Sequence, residues 1–141
     1  MADKVFADFR IKPKTERERK IARIVKEFQG TYNFKTNCFG LALFAFSDLK
    51  KPEWVKDYRD LKARYRKMRK KDLEAKEINE PKFGDLAVFI DYRKVEHVGI
   101  YLGTRDNNRY FFSKRGGMNR YEIDTGEELK KYGEPKFYRL E

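Results

Sequence analysis

From Phe39 to Phe46 the chain carries no charged or polar side chain: Phe39, Gly40, Leu41, Ala42, Leu43, Phe44, Ala45 and Phe46 follow one another. With Asn37 as N-cap, this run heads a helix expected over roughly 38–49. A helix apolar nearly all round has to be central and buried, so the rest of the chain must be built around it. Cys38, the only cysteine, stands in its first turn. There the positive end of the helix dipole and free backbone amides favour a thiolate, and the same amides could stabilise an oxyanion.

Other elements can be placed around that centre. Thr15-Glu16-Arg17-Glu18 reads as a capping box. Ile21, Ile24, Val25 and Phe28 then give one apolar helical face, stopped at Gly30. A third helix is expected over 53–70, with Trp54, Tyr58, Leu61, Tyr65 and Met68 as a stripe and lysines and arginines on its other faces. From residue 83 the pattern turns to strands: 84–90, 95–102, 109–113, 121–123 and 136–140, with a hairpin connection at 103–108 and a small helix at 126–132. Helices first and an antiparallel sheet after them make an α+β fold. A chain of 141 residues suits one domain, read as an arm over 1–14 and a single domain over 15–141.

One cysteine allows no internal disulfide and excludes four-cysteine zinc sites, and neither metal nor cofactor is expected. No apolar run approaches a membrane span, and the first residues do not read as a signal peptide. The default expectation is a cytoplasmic protein, with release or injection by another system left open. The net charge of +11 points to nucleic acid, an acidic wall polymer or another polyanion as a partner. The alternative is a thermophile-like surface, since Gln29 is the only glutamine and Ser47 and Ser113 are the only serines. Sequence alone leaves the oligomeric state open.

His97 is the only histidine and lies in the strand pattern Val95-Glu96-His97-Val98-Gly99-Ile100-Tyr101-Leu102-Gly103. A lone thiol and a lone imidazole on separate elements form the minimum of a thiol hydrolase, the imidazole serving as base. The bland alternatives are a buried filler cysteine and a structural histidine. Glu96 points to the opposite face from His97, toward solvent. Asp85 is expected to organise its strand entry, and Gly99 to let the strand approach the Cys38 helix closely.

Two stretches resemble the NlpC/P60 family of papain-like cysteine peptidases and amidases. Asn37-Cys38-Phe39-Gly40 is similar to the family's Asp-Cys-Ser-Gly motif, with Phe39 in place of a small polar residue. Gly84-Asp85-Leu86-Ala87-Val88-Phe89, followed by His97-Val98-Gly99-Ile100-Tyr101-Leu102-Gly103, looks like its Gly-Asp-Leu and His-Val-Gly-Ile-Tyr strands. The resemblance spans roughly 30–115 and implies a papain-like architecture in which a buried cysteine helix packs on an antiparallel sheet. It implies a hydrolase of amide bonds in cell-wall peptides or related amides, with Cys38 as nucleophile and His97 as general base and acid. The orienting third position falls on the strand after His97, where alternation puts Phe111 and Ser113 on one face. Ser113 is the candidate, although the family usually has His, Asn or Gln there; Lys114, Asn119 or a backbone carbonyl are the alternatives. Tyr32 resembles the tyrosine that helps shape the oxyanion site. Two other readings stay open: a basic nucleic-acid or polyanion-binding module with a non-catalytic Cys38 and His97, and a thiol acyltransferase or deamidase.

Overall fold

The computed structural model describes residues 12–140. Most of the arm expected over 1–14 therefore lies outside the described residues, and 12–14 form no helix or strand. Helix α1 spans Glu16–Phe28, with the Thr15 hydroxyl accepting the Glu18 amide at 3.0 Å. The return bond of the expected capping box goes elsewhere: the Glu18 carboxylate accepts the Lys14 amide at 3.2 Å. Ile21, Ile24 and Val25 face the core.

Helix α2, Cys38–Ala45, has nearly every residue buried, as its composition demands. It stops four residues short of the expected end. Lys20 of α1 donates to the carbonyls of Phe44 and Ser47, both at 2.6 Å, and so satisfies acceptors released at the end of the helix. Helix α3, Tyr58–Arg69, starts at the Asp57 cap, whose carboxylate accepts the Asp60 amide at 2.8 Å. The expected start at 53 fails because residues 53–55 are committed to α2: Thr36 Oγ1 donates to the Glu53 carbonyl at 2.7 Å and Asn37 Nδ2 to the Val55 carbonyl at 2.7 Å. Trp54 consequently stands ahead of the helix and half exposed, while Leu61 and Tyr65 fill the core.

Among the described residues the sheet has six strands, all pairs antiparallel: β1 Glu77–Ile78, β2 Leu86–Asp91, β3 Lys94–Arg105, β4 Asn108–Lys114, β5 Tyr121–Thr125 and β6 Glu134–Tyr138. Their spatial order is β1-β6-β2-β3-β4-β5. The short β1 escaped the sequence reading. The β3–β4 hairpin is tighter than expected because Asp106 and Asn107 both take positive φ, closing it in two residues. Helix α4, Gly126–Leu129, and a 3₁₀ turn at Lys130–Tyr132 connect β5 to β6.

Alternation divides the strands between two apolar clusters. Leu86, Val88, Val98, Ile100 and Phe112 pack with α1, α2 and α3. Ala87, Phe89, Tyr101, Phe111 and Phe137 pack with Leu129 and Tyr132. Asp85 organises the entry to β2 as expected, accepting the Lys82 amide at 2.8 Å, and also takes the Arg139 guanidinium through two bonds of 2.9 and 2.8 Å. Gly99 makes its close approach to β4 rather than to α2: a Cβ there would lie 3.3 Å from Ser113 Cβ and 3.4 Å from the Phe112 carbonyl.

Gly40 shows how closely the 53–55 segment crosses α2. A Cβ there would sit 1.7 Å from the Glu53 carbonyl oxygen and 2.2 Å from Thr36 Oγ1. Gly40→Ala is expected to cost about 3 kcal/mol in urea unfolding. Gly116→Ala, whose Cβ would meet only Asn119 Nδ2 at 3.6 Å, should stay within about 0.5 kcal/mol of wild type.

Candidate active site

The first turn of α2 is held on two sides. Asn37 Oδ1 accepts the Gly40 amide at 2.8 Å, while its Nδ2 hooks the Val55 carbonyl. This clamp leaves Cys38 buried, 6% exposed, against the sheet. The β3–β4 ladder runs from Arg105↔Asn108 to Ile100↔Phe112 and goes no further. Two residues beyond, the Val98 amide faces the Cys38 sulfur, joined by the amides of Phe39 and of Cys38 itself. The thiol therefore lies against the His97–Val98 peptide, at the point where β3 and β4 part.

By alternation the His97 side chain points away from that of Val98, toward Phe89 and Tyr132, and is 1% exposed. Its ring stacks on Tyr132, with centroids 4.6 Å apart and planes at 19°, and tilts against Phe89 at 5.7 Å. Nε2 lies 2.8 Å from Ser113 Oγ. In the tautomer that carries its proton on Nε2, the ring donates to Ser113 and leaves Nδ1 with a free lone pair. Ser113 itself is fully buried on β4.

Electrostatics leave both groups neutral at rest. Burial pushes the Cys38 thiol up to about 11, against the lowering influence of the three amides and of Lys114. The sequence expectation that a helix N-terminus favours the thiolate is thus outweighed in the resting site by desolvation. Burial also drives His97 down to about 3, with help from the Arg115 and Lys131 cations. Arg115 is fixed by Asp124, through contacts of 3.2 and 2.6 Å, and lies 3.6 Å from Glu128.

Tyr32 is placed differently from the buried trio. It is 53% exposed, bridges backbone to backbone with Arg120, carries the Arg120 guanidinium 4.9 Å above its ring and leans on Phe34. Sequence reasoning missed the Val98 amide, the Tyr132 stack and the seat of Trp54, whose ring would lie 3.1 Å from a Cβ on Gly117. Strand alternation could have suggested the Val98 amide; the two ring contacts have no local signal. A cavity of about 1020 Å³ opens elsewhere, between α1, the 47–50 loop and Arg139, and includes none of the four candidate residues. Among the described residues no group of three or more His, Cys, Asp or Glu could hold a metal ion, and no helix is long and apolar enough to cross a membrane.

The neutral imidazole makes stability depend on acid. Between about pH 3 and about 6.5 the unfolded chain binds a proton at His97 that the folded chain refuses. Unfolding free energy should therefore fall on acidification through this window by up to about 1.4 kcal/mol per pH unit. Chemical unfolding at a series of pH values checks this, and His97→Gln should show a flatter acid limb than wild type.

Comparison with known proteins places the same segment in a family: the NlpC/P60 family model matches residues 27–133, from the end of α1 to the 3₁₀ turn before β6. No curated protein and no solved structure matches the chain.

Proposed function

The chain belongs to the NlpC/P60 family, a family of papain-like cysteine hydrolases and amidases, and from that premise we propose that it cleaves an amide bond with Cys38 as nucleophile and His97 as base and acid. One observation carries the assignment. The sulfur rests on the His97–Val98 peptide, while the imidazole of the same peptide is oriented through Nε2 by Ser113.

The step proceeds from a neutral pair. As the sulfur attacks the carbonyl carbon, its proton passes to His97 Nδ1, and the Nε2–H bond to Ser113 keeps the imidazolium in place. Negative charge moves onto the carbonyl oxygen, where the Cys38 amide at the helix start is the natural donor, with Tyr32 as a further support. His97 then returns the proton to the departing amine nitrogen as the C–N bond breaks. Water, deprotonated by His97, cleaves the thioester and regenerates the thiol.

The substrate proposed is a peptidoglycan-type peptide or a related amide. The +11 charge, with Arg59, Arg66 and Lys67 exposed on α3 and Lys70 exposed at its C-cap, suits an anionic polymer attached to it. The site itself is the same for a cytoplasmic enzyme and for one released or injected by another system. An acyltransferase or deamidase would share every step up to the thioester and differ in the acceptor or in the amine released.

The test is cleavage of a panel of wall-derived peptides and simple amides, followed by mass spectrometry of the products. Cys38→Ala should lose at least about a thousandfold in rate. Ser113→Ala should lose about tenfold to a hundredfold, with the loss in kcat rather than KM. A Cys38→Ala protein that still cleaves every substrate of the wild type would end the proposal.

A further inference from the structure

Lys114 is the last residue of β4 and is fully buried. Its neighbour Ser113 serves the His97 side of the sheet, so alternation turns Lys114 to the α2 side, where Cys38 lies. Lys114 lies two residues past the last β3–β4 pair, Ile100↔Phe112, as does Val98 on the other strand, whose amide faces the sulfur. The ammonium is clamped: Nζ donates to the Gly116 carbonyl at 2.7 Å and to the Gly117 carbonyl at 2.9 Å, and lies 5.9 Å from the Tyr121 ring centroid. The clamp is itself backed, since Gly117 abuts Trp54 on the segment that crosses the first turn of α2.

A buried ammonium is costly unless an anion answers it. Among the described residues no carboxylate forms an ion pair with Lys114, and its hydrogen-bond partners are two neutral carbonyls. Around the pair stand His97 on β3, Arg115 just after β4, Tyr121 on β5 and Tyr132 on the 3₁₀ turn. His97 is neutral, and Arg115 is already matched by Asp124. The group left for Lys114 to answer is the sulfur once it carries charge.

We propose that Lys114 is a positioning residue of the active site, its clamped ammonium on the α2 side of β4 supplying the fixed positive charge against which the Cys38 thiolate develops. The inference rests on Cys38 being the nucleophile. Lys114 acts through the sulfur and not on the substrate. Electrostatic influence runs both ways: Lys114 draws the thiol down, and Cys38 holds the buried amine up against desolvation. In a site that keeps its imidazole neutral at rest, this cation contributes to stabilising the thiolate as it develops.

The experiment is the pH dependence of iodoacetamide labelling at Cys38 in wild type, Lys114→Met and Lys114→Arg, with thermal melts run in parallel. Lys114→Met should move the labelling profile up by about one pH unit, so that the rate at a fixed neutral pH falls about tenfold, and Lys114→Arg should restore it. A merely structural clamp would lower the melting temperature of Lys114→Met and leave the profile where it was, which overturns the proposal. Should neither variant fold, the Lys114 Cε resonance followed by NMR in wild type and Cys38→Ser decides. Its titration midpoint should drop in Cys38→Ser, and equal midpoints overturn the proposal. A wild-type thiol inert to labelling at every pH would instead sink Cys38 as nucleophile.

Discussion

The site depends on how the first turn of α2 is tied down. Asn37 uses both ends of its amide, capping the helix through Gly40 and hooking the crossing segment through Val55, while Thr36 takes Glu53. Those three bonds explain the absence of a side chain at Gly40, the late start of α3 and the position of Trp54. They also set the depth of Cys38. A helix apolar on every side has no preferred face of its own, so its orientation must be fixed at its ends. Here the N-terminal clamp does that at one end and Lys20 at the other.

Burial is the dominant force on the chemistry. It raises the thiol, depresses the imidazole and leaves a pair with no net charge. Such a resting state resists oxidation and stray alkylation, because the thiolate is the reactive form. Its groups are nonetheless ordered before any substrate arrives. Ser113 orients the ring, Tyr132 stacks on it, and the Val98 amide faces the sulfur. In the proposed reaction proton transfer then accompanies bond formation and need not precede it, and the proposed field of Lys114 acts on the charge as it appears.

Much of the fold is legible in the sequence. The apolar run fixed the centre of the fold, the Thr15 and Asn37 caps marked two helix starts, and period-two alternation put Ser113 on a face with Phe111. The residues that departed from expectation did so for long-range reasons. Glu53, Trp54 and Val55 read as helix by spacing, yet the Glu53 and Val55 carbonyls are claimed by residues 17 and 18 positions earlier. The end of α2 depends on Lys20, 24 residues before Phe44. Gly99 meets β4 because of strand register, which local pattern does not encode. Thiol ionisation misled in the same way: the helix amides are local and visible, whereas the burial that outweighs them belongs to the assembled core.

The account stands on Cys38 and His97 acting as one unit, and single-turnover acylation by p-nitrophenyl acetate tests that most directly. With nitrophenolate release followed in wild type and His97→Ala, and the acetyl group located by mass spectrometry, the wild type should acylate at Cys38. His97→Ala should be slower by about a hundredfold or more. Equal rates in the two proteins, or acetyl found away from Cys38, would contradict it.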